Sequence, residues 1–138
     1  MNDMPFDVFH APTRPLGKHL IAEFHGARNL YDPAPCEAVL SWAAAAAGAT
    51  LLRTFAHDFG EREGFTAVAV LAESHISLHT WPEHGYLALD VFMCGDAEPE
   101  RALAVLKDYF QPEAIVTQTL SRGLTATSPT PVRARATA

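Results

Sequence analysis

The sequence predicts an α+β fold, a two-layer α/β sandwich in which a mainly antiparallel sheet carries helices on one face. Strand-like segments outnumber helical ones, and several are joined by turns too short for a crossover, so neighbours must run antiparallel. The helical segments gather apolar residues on one side, which gives each a face to bury. With 138 residues at 49% hydrophobic composition, the chain has the size of one globular domain and can enclose a core.

Residues 1–17 hold three prolines and no sustained periodicity, and are expected to form an N-terminal arm. A single domain then spans residues 18–123. Leu20, Ile21, Ala22 and Phe24 suggest a buried strand. Asp32, Pro33 and Pro35 punctuate the chain ahead of an Ala-rich helix over Cys36–Ala47, with Gly48 at its stop. Val39, Trp42, Ala43 and Ala46 are expected on its buried face. Thr50–Phe59 and Phe65–Leu71 read as strands around the charged turn Gly60-Glu61-Arg62-Glu63-Gly64, which is expected to be solvated. Ser74–Thr80 and Tyr86–Met93 follow as two more strands, separated by Trp81-Pro82-Glu83-His84-Gly85. Glu98–Phe110 repeats apolar residues at Ala102, Leu103, Val105, Leu106 and Tyr109, a second amphipathic helix, and Ala114–Leu120 is a last strand. Residues 124–138 are rich in Thr, Pro, Ala and Arg without periodicity and are expected to be a disordered tail.

Ten basic and sixteen acidic residues leave a formal net charge of -6, so electrostatics favours neither nucleic acid nor an anionic membrane as a partner. No apolar run approaches the roughly 20 residues that span a bilayer, and residues 1–10 carry acids where a secretory signal has bases. The expected compartment is the cytoplasm. Two cysteines, Cys36 and Cys94, do not suggest a disulfide framework; Cys36, at a helix start, is expected to be structural.

Between Glu73 and Cys94 the pattern departs from ordinary core. Strand alternation sets Ile76 and Leu78 against His75, Ser77 and His79, and sets Leu87, Leu89, Val91 and Met93 against Tyr86, Ala88, Asp90, Phe92 and Cys94. Each strand has one apolar and one chemical face. A metal site is not expected, because His75 and His79 lie about 13 Å apart at roughly 3.3 Å per residue. Two readings stay open on spacing alone: a polar hairpin face with solvated histidines, or nucleophilic chemistry from a serine, a histidine and a thiol. A hairpin centred near Glu83 brings Cys94 opposite residues 72–74, beside Ser74. His79, about 16 Å along the strand from Ser74, needs a sharp bend or a second subunit to reach it.

Glu73-Ser74-His75-Ile76-Ser77-Leu78-His79-Thr80-Trp81-Pro82-Glu83-His84-Gly85-Tyr86, followed by Asp90-Val91-Phe92-Met93-Cys94-Gly95, resembles the signature of prokaryotic S-adenosylmethionine decarboxylase proenzymes. The similarity runs from Gly17-Lys18-His19-Leu20, through Gly48-Ala49-Thr50 and Thr54-Phe55, to Ser121-Arg122-Gly123. It implies self-cleavage. Ser74 would attack the carbonyl of Glu73, the resulting ester would break by β-elimination with His79 as base, and Ser74 would become a covalent pyruvoyl group. Residues 1–73 would be the β chain and residues 74–138 the α chain. The pyruvoyl would then form a Schiff base with S-adenosylmethionine and promote its decarboxylation, supplying aminopropyl groups for spermidine and other polyamines.

The same resemblance implies further roles. Cys94 matches the proton donor, Thr66 a hydroxyl that assists processing, Glu83 the carboxylate that binds ribose hydroxyls, and Phe59 an aromatic that stacks on adenine. His75 and Ser77 are left as support. The family's symmetric dimers would join Ser74 and Cys94 of one protomer to Thr66, His79, Glu83 and Phe59 of its mate. Two features depart from the family pattern: His84 stands where a tyrosine is usual, and Gly26-Ala27 lacks a cysteine often found there. Alternatives are a pyruvoyl-dependent ornithine or arginine decarboxylase, or an unprocessed homologue that binds a ligand without reacting.

Overall fold

A computed structural model describes residues 12–124. The first part of the expected arm, residues 1–11, and the tail from residue 125 onward lie outside the described residues. Strand β1 covers Gly17–His25, helix α1 Cys36–Ala46, β2 Leu51–Asp58, β3 Phe65–Leu71, β4 Ser74–Trp81, β5 Tyr86–Cys94, α2 Pro99–Phe110 and β6 Ala114–Arg122. All six strands pair antiparallel in the order β2-β3-β4-β5-β1-β6, with α1 and α2 packed together on one face. This is the expected α+β sandwich, and its sheet is wholly antiparallel. None of the described helices is long and apolar enough to cross a membrane.

Alternation along the strands decides the faces. Leu20, Ala22 and Phe24 of β1, Phe65, Ala67, Ala69 and Leu71 of β3, and Leu87, Leu89, Val91 and Met93 of β5 are buried against the helices. The helix residues that meet them are Val39, Leu40, Ala43 and Ala44 from α1 and Ala102, Leu106 and Phe110 from α2. One expectation fails here. Trp42 is 63% exposed, because the buried stripe of α1 passes through residues 36, 39, 40, 43, 44 and 47 at helical spacing, and Trp42 lies one step off it. Small alanines let the helix sit close to the sheet and to α2, so no large aromatic is needed on that face.

Thr80 is the one buried polar side chain among the described residues. Its hydroxyl accepts from the Phe65 amide at 2.9 Å and donates to the Leu30 carbonyl at 2.8 Å. Gly64 packs against it: a Cβ there would lie 2.5 Å from the Thr80 carbonyl oxygen, and the φ of +87° also favours glycine. The β2–β3 turn is thereby locked against the end of β4. Replacing Thr80 by the isosteric Val would strand both partners in the core. Thr80→Val should therefore cost about 1–3 kcal/mol in urea unfolding; an unchanged midpoint would contradict this account of the lock.

Candidate active site

The sheet face away from the helices carries His75, Ser77, His79 and Trp81 from β4, with Ala88, Asp90 and Phe92 beside them on β5. Opposite faces of β4 thus separate chemistry from core, as strand alternation requires. The expected site residues fall into two groups at the two ends of β4, which runs from Ser74 to Trp81 and pairs in register with both neighbours.

Glu73, Ser74 and Cys94 form the first group. Leu71 pairs with Ser74, so Ala72 and Glu73 alone connect β3 to β4. This turn is held on three sides. The Ala72 amide donates to the Thr50 carbonyl at 2.9 Å, the Thr50 amide donates to the Glu73 carboxylate at 2.7 Å, and the Cys94 amide donates to the Glu73 carbonyl at 2.9 Å. Ser74 has φ +141°, a conformation that L residues rarely adopt and that costs about 1–3 kcal/mol. The peptide expected to break thus has a polarised carbonyl on one side and a strained serine on the other. Ser74 pairs with Met93, one residue from Cys94, which is the neighbourhood that hairpin counting predicts. A hollow of about 330 Å³, lined in part by Leu16, Lys18, Met93 and Gly95, opens at this end.

Thr66, His79, Glu83 and Phe59 form the second group. Thr66 pairs with His79 across β3 and β4, and its Oγ1 lies 2.6 Å from His79 Nδ1. The Phe59 ring, 44% exposed, stands 5.4 Å from the imidazole of His79. A short 3₁₀ turn over Pro82–His84 presents Glu83 to the same cleft of about 420 Å³, whose lining also includes Arg62, Glu63 and Trp81. The charged turn therefore borders a cleft as well as solvent.

No bend brings the two groups together within the chain. β4 pairs residue by residue with β5 from Ser74 to Trp81, so His79 stays about 16 Å from Ser74 at roughly 3.3 Å per residue.

Two contributors were not singled out by sequence, and a third was given only a supporting role. Trp81 shares the parity of His79, and its ring centre lies 3.9 Å from that of the imidazole with the planes tilted by 44°, so alternation alone could have found it. Thr50 is distant in sequence, and only the fold reveals that it holds Glu73. His75, read as support, has its Nδ1 2.9 Å from the Ser74 hydroxyl.

The remaining groups divide clearly. Burial, followed by the charge of Glu37, pushes the Cys36 thiol up to about 12, the reverse of what a helix N-terminus does to an exposed thiol. Tyr86 donates to Glu23 on the open face; partial burial first, then this hydrogen bond and nearby carboxylates, pushes its phenol up to about 12. Among the described residues no group of three or more metal-ligating side chains converges. A larger hollow of about 640 Å³ beside Asp32, Asp58 and Glu61 includes none of the expected site residues in its lining.

A family model described as S-adenosylmethionine decarboxylase matches residues 18–123. The S-adenosylmethionine decarboxylase proenzyme of Parasynechococcus marenigrum (strain WH8102) is 52% identical over 96 residues, 67% of this chain and 74% of that protein. That of Thermomicrobium roseum is 40% identical over 110 residues, 79% of this chain and 95% of its own. A crystal structure of the adenosylmethionine decarboxylase from Aquifex aeolicus VF5 superposes with a TM-score of 0.73 at 31% identity, covering 86% of this chain and all of that one.

The two thiols should differ sharply in reactivity. Cys94 is exposed and Cys36 is buried, so iodoacetamide near pH 8 should label the folded chain at Cys94 and reach Cys36 only after denaturation. Peptide mapping that finds both labelled at similar rates before unfolding would contradict the assignment.

Proposed function

The chain belongs to the S-adenosylmethionine decarboxylase family, and from that premise we propose that it decarboxylates S-adenosylmethionine after cutting its own backbone between Glu73 and Ser74. The observation that carries the reading is the Glu73 carbonyl, held at 2.9 Å by the Cys94 amide and followed at once by the strained Ser74. As Ser74 Oγ adds to that carbonyl carbon, charge grows on an oxygen that already faces an N–H donor. The amide becomes an ester, and opening the turn releases the strain at Ser74. A base then removes the Ser74 α-proton, and elimination frees the Glu73 carboxylate. Hydrolysis of the dehydroalanine left at residue 74 releases ammonia and leaves a pyruvoyl end.

The pyruvoyl group supplies a carbonyl that condenses with the substrate amine and accepts the electron pair released with carbon dioxide. This chain's side chains do the rest. Cys94 returns a proton to the substrate Cα, Glu83 accepts hydrogen bonds from the ribose hydroxyls, and Phe59 stacks on the adenine. Thr66 orients the imidazole of His79, the base for the α-proton. The product is the aminopropyl donor of polyamine synthesis. A working thiol suits a reducing compartment, which supports a cytoplasmic setting.

The separation of the two groups supports a symmetric dimer. Phe55, Val70, Val116 and Leu120 are 52%, 38%, 56% and 46% exposed on the open sheet face, which needs a cover. A two-fold axis lying between two such faces and crossing β4 near Ser77 carries the Ser74 end of one protomer over the partner's His79. Each half-site is then completed by the other.

Intact mass tests the reading. The 15.0 kDa chain should resolve into residues 1–73 and a pyruvoyl-capped 74–138, and Ser74→Ala should remain whole. Ser74→Ala and His79→Ala chains, each impaired alone, should restore cleavage of the His79→Ala chain when co-expressed, because one mixed site has both groups. Cleaved Ser74→Ala protein would sink the mechanism; failure of the co-expressed pair would sink the shared site.

A further inference from the structure

We propose that His75 is the base that takes the Ser74 hydroxyl proton in the first step of self-cleavage, an inference that rests on the self-cleavage reading above. Among the described residues, His75 is the only side chain hydrogen-bonded to Ser74 Oγ, with 2.9 Å between Oγ and Nδ1. A serine hydroxyl is a weak nucleophile until an adjacent base accepts its proton. In the Nε2–H tautomer of His75, the hydroxyl donates to a free Nδ1 lone pair, which is the geometry required.

The ring is held for this task. His75 pairs with Val70 on β3 and Phe92 on β5, so its backbone is fixed from both sides. The Phe92 ring stands 5.8 Å from the imidazole with the planes at 64°. Phe92 itself is clamped between His19, 5.3 Å away, and the guanidinium of Arg122, 4.8 Å above its ring. It fills the space over Gly17, where a Cβ would fall 2.6 Å from its Cε2. His79 is poorly suited to the same step in its own chain, being at the far end of β4 with Nδ1 engaged by Thr66.

The step balances without a co-reactant. Ser74 Oγ gives its proton to His75 Nδ1 as the Oγ–C bond to Glu73 forms, and the carbonyl oxygen stays on the Cys94 amide. The C–N bond then breaks as the imidazolium returns the proton to the Ser74 nitrogen. Two histidines on one strand thus divide two proton transfers: His75 serves the hydroxyl in its own protomer, and the partner's His79 serves the α-proton.

The first step can be isolated in full-length His79→Ala protein, where elimination is blocked and hydroxylamine cleaves the ester as it forms. Adding His75→Gln, which keeps the volume and removes the base, should slow hydroxylamine cleavage at residue 73 by about 10²-fold or more. With His75→Ala instead, added imidazole should restore part of the rate, which a purely structural loss would not allow. Circular dichroism establishes that each variant is folded, and the Gln variant serves if the Ala variant is not. Equal hydroxylamine rates with and without His75 would overturn the role of His75 while leaving self-cleavage intact. A wild-type chain that stays whole would overturn both.

Discussion

The hydrogen bond from the Cys94 amide to the Glu73 carbonyl is the constraint on which the site depends. It exists because β3 and β4 are joined by only Ala72 and Glu73, and because β4 pairs with β5 so that Ser74 faces Met93. A slip of one residue in that register would turn His75 and His79 into the core and carry Ile76 and Leu78 out. The buried row of Leu87, Leu89, Val91 and Met93 forbids such a slip. Hydrophobic burial on one face of the sheet thereby sets the geometry of chemistry on the other. The rare backbone angle at Ser74 persists because Thr50 and Cys94 hold the turn from both sides.

Most of the architecture was legible in the residues. Period-two alternation marked β4 and β5 and assigned their faces correctly, since a half-buried strand cannot hide its pattern. The order of strands and helices followed from turn chemistry. Trp42 was misplaced because an Ala-rich helix has a weak apolar contrast: when nearly every position is small and apolar, a large aromatic draws attention to the wrong stripe. The strand order could not be read at all, because the insertion of β1 between β5 and β6 is a long-range pairing with no local signal.

The site was legible in part. Counting along a hairpin separates Ser74 and Cys94 from His79, and the regular pairing of β4 keeps them separate. Thr50 escaped notice because its contact with Glu73 spans 23 residues. His75 was read only as support for the opposite reason: adjacent residues on an ideal strand point to opposite faces, so its side chain should not meet that of Ser74. The positive φ at Ser74 breaks that rule at one residue and lets the neighbours touch. Local departures from ideal geometry are invisible to periodicity, and here the departure lies at Ser74, beside the peptide bond to Glu73.

The insertion of β1 has one further consequence. A cut after Glu73 would leave β1, β2 and β3 on one polypeptide and β4, β5, β6 on the other, yet the strands do not separate into two blocks of the sheet. β1 lies between β5 and β6, bonded to each along its full length, while β3 remains paired to β4. The two pieces would be interleaved like the fingers of clasped hands. Losing one covalent bond would therefore leave the hydrogen-bond ladder intact, and a severed chain could persist as one body through strand exchange already built into the uncut fold.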